Sequence, residues 1–141
     1  MKTLPIDRNR VFKEYDYPRK PGLYQPLRHF IQRYKEPERF LNGEVIEACI
    51  EEGDLRDNQD GCACFRKEWG KGVAYYLIAG FHEEGHRIIV TAWPHLHDRE
   101  EAINSGLWVS EELDTIESLN TRYQTSFEEK YPVYQQWLNK H

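Results

Sequence analysis

Residues 26–35, PLRHFIQRYK, place an imidazole and a guanidinium four positions apart at His29 and Arg33. In a helix that spacing puts both on one face, because residues four apart lie one turn above each other. Imidazole titrates near neutral pH and can take or give a proton. Guanidinium can hold a phosphate through two parallel N–H bonds. Together they suit metal-independent phosphoryl chemistry, in which a general base removes a 2′-hydroxyl proton and cations stabilise the charge developing on phosphate. The competing reading is a solvated helix face, with an ordinary His and an Arg paired to Glu36.

A second group lies in HRIIVTAW, residues 86–93. On an ideal strand Arg87, Ile89, Thr91 and Trp93 share one side, and Ile88, Val90 and Ala92 share the other. The aliphatic set reads as core. Arg87 and Thr91 then face outward beside Trp93, a cation and a hydroxyl next to a ring on which a base can stack. Arg66 is the nearest cation of an earlier strand that could join this surface, as a further substrate contact; Lys67 falls on the opposite face. An exposed sheet face with ordinary cross-strand pairs is the bland alternative.

Cys62-x-Cys64 and His95-x-His97 have four zinc-type ligands between them. In an up-down-up sheet, however, the start of the first strand and the end of the third lie at opposite ends, roughly 20 Å apart for six-residue strands. No metal or cofactor is therefore assigned. His82 and His86 flank the turn HEEG without completing a site, and GKG at 70–72 lacks the longer Gly-rich pattern of a phosphate loop.

The elements that must hold these residues follow from periodicity. Leu27, Phe30, Ile31 and Tyr34 form a helical stripe opposite His29, Gln32 and Arg33, begun by Pro26 and closed by Pro37. A second helix starts at the cap Asn42, is stapled by Leu41 and Ile46, and ends at Gly53, with Val45, Ile46, Cys49 and Ile50 inward. RDNQDG at 56–61 reads as a loop. CACFRKEW, VAYYLIAGF and HRIIVTAW then read as a three-stranded antiparallel meander, one face of which the two helices cover.

Residues 1–25, with Pro5, Pro18 and Pro21 and no sustained period, read as an irregular arm. After residue 98, Ser110 followed by Leu113, Ile116, Leu119 and Tyr123 predicts a further helix, and Tyr134, Trp137 and Leu138 mark a last one from Pro132. The expectation is an α+β domain over 26–98, with an N-terminal arm and a C-terminal helical extension at 99–141. One core suits 141 residues. A net charge of −5 argues against indiscriminate nucleic-acid binding without forbidding a local basic patch. Three cysteines, no apolar leader and no long apolar run suggest a reducing, cytoplasmic setting away from the membrane.

The order HFIQR, NGEVIEACIEEGDL and HRIIVTAW resembles the DUF4258-like domains, related in layout to the BrnT and RelE ribonuclease toxins of bacterial toxin and antitoxin pairs. The likeness covers residues 27–97. It implies two helices before an antiparallel sheet, and metal-free RNA cleavage by scattered polar side chains. Matched by position, these are His29 and Arg33, with Arg87 and Thr91 of the last strand. The partners it implies are RNA and an antitoxin-like protein. The alternative is a non-catalytic interaction module whose arm and C-terminal helices bind a partner or a second copy. The acidic balance and both extensions depart from the toxin pattern.

Overall fold

The computed structural model describes residues 6–138. Five strands form one sheet: β1 (Gln25–Pro26), β2 (Asp54–Gln59), β3 (Cys62–Glu68), β4 (Val73–Phe81) and β5 (Arg87–Leu96), in the order β1-β5-β4-β3-β2. β1 runs parallel to β5 and every other pair is antiparallel. The helices are α1 (Arg28–Tyr34), α2 (Gly43–Glu52), α3 (Arg99–Asn104), α4 (Ser110–Lys130) and α5 (Pro132–Leu138). Among the described residues no helix is long and apolar enough to cross a membrane.

The expected meander exists as β3, β4 and β5, and the sheet extends beyond it on both sides. β2 occupies the run read as a loop. Its residues are polar because it is an edge strand with half its backbone facing water. The signal overlooked was Asp60-Gly61, a two-residue hairpin turn with φ of 54° and 77° that joins β2 to β3. At the other edge, Pro26 belongs to β1, and α1 begins after Leu27. The arm is tied down as well. Ile6 bridges His82, while Tyr17 and Tyr24 are buried in the core.

Both sheet faces are covered, where the sequence reading expected one. The first face packs Phe65, Tyr75, Leu77 and Ile89 against Phe30, Ile46 and Ile50. The second packs Cys64, Tyr76, Ile78, Ile88, Val90 and Trp93 beneath Leu119, Phe127, Tyr134 and Trp137, with Leu27 at its margin. Ile50 and Val90, both read as core from the sequence, are thus on opposite sides of the sheet. The C-terminal helices are half of the core. Burying Tyr134 and Trp137 removes an aromatic surface worth a few kcal/mol per ring, on the order of 1.5 to 3 each. Asn58 of β2 caps α5 by accepting the Val133 N–H at 3.3 Å, and Arg56 lies over the Trp137 ring at 4.5 Å.

α4 passes from one face to the other around the edge of β5. Leu113 and Ile116 pack on the first face, Leu119 and Phe127 on the second. Between them Asn120 meets the strand itself, donating to Pro94 O at 2.9 Å and accepting from Leu96 N at 3.0 Å. Arg39 donates to Ala92 O at 3.0 Å. β1 pairs only with Ile88 and Ile89, so these two side chains satisfy the edge groups that a longer strand would have paired.

Candidate active site

The bulge in β5 decides which of the chemically interesting residues meet. Ile78 of β4 faces Thr91, but its neighbour Ala79 faces Ile89, so Val90 is one residue too many on β5. The alternation of faces shifts there. Arg87 and Ile89 lie on the first face; Thr91 and Trp93 join Ile88 and Val90 on the second. The expected outward row of Arg87, Ile89, Thr91 and Trp93 does not exist.

Arg87 turns to the arm, where its Nε donates to Asp16 O at 2.6 Å and its guanidinium lies 5.7 Å from the Phe81 ring centre. Trp93 is fully buried, stacked on Tyr76 and Phe127 at centroid separations of 5.6 and 4.1 Å, and has no open face for a base. Arg66 donates to the Tyr76 hydroxyl at 3.1 Å and pairs with Glu68 at 2.9 Å. Of the six residues singled out, His29, Arg33 and Thr91 come together.

They line a pocket of about 70 Å3 between α1, β5 and α4. Leu27 N–H donates to Ile89 O at 3.1 Å, which fixes the start of α1 beside the bulge. His29 and Arg33 follow on one helix face. The turn at Pro37–Arg39 then returns Arg39 to the same place, its chain direction set by Phe40 at φ 49°. From α4 come Tyr123, Ser126, Phe127 and Lys130, successive contacts of one helical face. Tyr131 closes the rim.

Three cations surround His29 against one carboxylate. Arg39 is 2% exposed, and Glu36 holds it at 2.9 Å while bonding Arg33 at 2.7 Å. Burial lowers the Arg39 pKa and Glu36 opposes it; a guanidinium nonetheless stays charged in proteins. Burial also acts to raise Glu36, but the hydrogen bonds and charges of Arg33 and Arg39 outweigh it and hold the carboxyl below its ordinary value. The His29 pKa is lowered by burial first, then by Arg33, Arg39 and Lys130, with Glu36 opposing. Its imidazole is therefore neutral at pH 7. Thr91, 3% exposed, lines the pocket, and its hydroxyl has no hydrogen-bond partner among the described residues.

Such a site attracts an anion. Guanidinium and ammonium groups offer charge-assisted donors, the Thr91 hydroxyl lacks a partner, and a neutral imidazole stands among them. Arg39, Lys130 and the α4 aromatics were not anticipated. Lys130 and Tyr123 lie about a hundred positions from His29 in the chain, and only the packing of α4 brings them close.

The zinc-type ligands are distributed as strand direction requires. Cys62 pairs with Gly80 and His95 with Ala74, at opposite ends of β4. Among the described residues no three His, Cys, Asp or Glu side chains converge as a metal site. His95 has another setting: its Nδ1 lies 2.8 Å from the Tyr134 hydroxyl, above a surface groove shared with His97, Asn120 and Gln124. No protein-family model, curated protein or solved structure matches the chain.

Proposed function

We propose that the protein acts on RNA through the pocket between α1, β5 and α4, as a metal-independent ribonuclease-type domain. His29 is the proton acceptor for an attacking 2′-hydroxyl; as the 2′-oxygen bonds to phosphorus the bond to the 5′-oxygen breaks, and that oxygen leaves as a hydroxyl with a proton from water, the other strand ending in a 2′,3′-cyclic phosphate. Arg33, Lys130 and Arg39 hold the phosphate and stabilise the charge that develops on it, and the Thr91 hydroxyl contributes a donor from the floor. The single observation that carries this reading is a neutral imidazole set among three cationic side chains. A site whose excess charge is positive favours phosphate and repels a metal ion, which makes the chemistry general acid–base and electrostatic. The acidic chain as a whole does not weaken this, because the local field at a phosphate is set within about 8 to 10 Å at physiological salt.

The competing view, a binding module working through its arm and C-terminal helices, would need their apolar faces. Tyr17, Tyr24, Tyr134 and Trp137 are already buried within the chain. The test is cleavage of a mixed RNA pool in EDTA. Activity should persist, fall roughly 100-fold or more in His29→Ala, as for loss of a general base, and do so with an unchanged circular dichroism spectrum. Wild-type protein that neither cuts nor binds RNA overturns the proposal.

A further inference from the structure

The pocket's size and charge point beyond phosphate in general to one kind of phosphate. Sites that enclose a nucleoside-sized ligand are commonly about 300 to 1,000 Å3. At about 70 Å3 this pocket takes a single tetrahedral group and leaves any sugar or base outside. Three cationic side chains face one carboxylate, an excess of two positive charges at pH 7 with His29 neutral. A phosphodiester inside a strand carries one negative charge and has two non-bridging oxygens. A phosphomonoester carries about −1.5 to −2 and has three oxygen acceptors.

The donors match the second case. Arg39 and Thr91 form the buried floor, Arg33 stands on the α1 wall, and Ser126 and Lys130 stand on the α4 wall. An internal phosphodiester in the same pocket turns two of its oxygens outward as esters and a monoester only one, so a strand end meets these donors with one more acceptor. We infer that the pocket binds the phosphomonoester at the end of an RNA strand. The inference rests on the RNA-directed reading above, and deepens it from phosphate contact to recognition of a strand end. The same group is carried by a 5′-phosphorylated strand or by a 3′-phosphorylated one, the form reached when water opens the 2′,3′-cyclic phosphate left by 2′-hydroxyl attack.

The experiment uses one ten-nucleotide 2′-O-methyl RNA, which cannot be cut through its 2′ position, with a 5′-phosphate, a 3′-phosphate or hydroxyls at both ends. Binding is read by fluorescence anisotropy with the full chain, and the matching mononucleotide is run as a competitor. One phosphorylated form should bind at least about tenfold more tightly than the hydroxyl-ended strand, the scale of one charge-assisted contact; which end it carries identifies the source. That gain should shrink several-fold in Lys130→Gln, a substitution at an exposed side chain, and in Thr91→Val.

Equal affinity for all three strands overturns the end-recognition inference and leaves RNA binding standing. Preference for the phosphorylated end with a mononucleotide competing equally well supports the monoester pocket and overturns RNA as its carrier. Absence of binding to any strand or to the mononucleotide overturns both.

Discussion

Lowering the pH should destabilise this protein through His95 in particular, and the size of the effect can be worked out. The His95 ring is pressed between β5 and α5 beside Tyr134 and Tyr76. Burial, then the nearby His97 and Arg66, push its pKa down from 6.5 to about 4. The folded state thus resists a proton that the unfolded chain accepts at its ordinary value. His95 costs nothing above pH 6.5, and its penalty grows as the pH falls towards 4, below which it is constant. The ceiling is about 1.36 kcal/mol per pH interval across that window, or roughly 3 kcal/mol. The ring edge still meets the surface groove, so solvent screening reduces the measured loss to about 1 to 3 kcal/mol. The assay is urea denaturation at half-unit steps from pH 7.5 to 4, comparing wild type with His95→Gln, which retains an acceptor for the Tyr134 hydroxyl. Carboxylates and His29 contribute equally to both proteins, so the difference between the two curves isolates His95. Parallel curves through this window, or a His95 ring resonance titrating near pH 6.5, would refute the reasoning.

His29 has the same sign of shift, so an anion in its pocket should favour protonation: phosphate affinity, measured by calorimetry, should gain in wild type relative to His29→Ala as the pH is lowered below 6.5, the phosphate's own titration being common to both. Ile50→Ala should cost about 2 to 5 kcal/mol in chemical denaturation, because Ile50 is fully buried between α2 and the sheet. Gly72 sits at φ 83° with Asp98 O and Ala102 N where a Cβ would lie, whereas Gly85 at φ 95° has open space. Gly72→Ala should therefore lower the melting temperature markedly more than Gly85→Ala, with both paying the positive-φ strain. Arg39→Ala should destabilise by about 1 to 3 kcal/mol by leaving Ala92 O without its buried donor, while Glu36 keeps Arg33, with the loss read in urea unfolding.

Periodicity and punctuation made much of the local structure legible. Asn42 does cap α2, accepting from Val45 N at 2.9 Å, and Val45, Ile46, Cys49 and Ile50 are its buried face. The apolar runs at 73–81 and 87–93 are strands, and α4 and α5 begin at Ser110 and Pro132 as their stripes require. These features depend on neighbours within a few residues, where helix and strand geometry constrains the chain directly. The same locality made His29 and Arg33 recognisable as a pair on one turn of α1.

What escaped depends on contacts made across the chain. One extra residue at Val90 reversed the face of Thr91 and Trp93, since strand alternation has a period of two and any insertion changes everything beyond it. Polar β2 became a strand because β3 offered it an edge. The C-terminal helices became core because the face of the meander opposite α2 is as apolar as the one α2 covers. The pocket is of this second kind. His29 and Arg33 were visible as residue types, but their charge environment came from Arg39, folded back by a turn, and from Lys130, carried there by α4. Sequence determined which groups could bind or move a proton. Only the tertiary structure decided which of them share one solvent-screened space, because charge acts through distance in three dimensions and not along the chain.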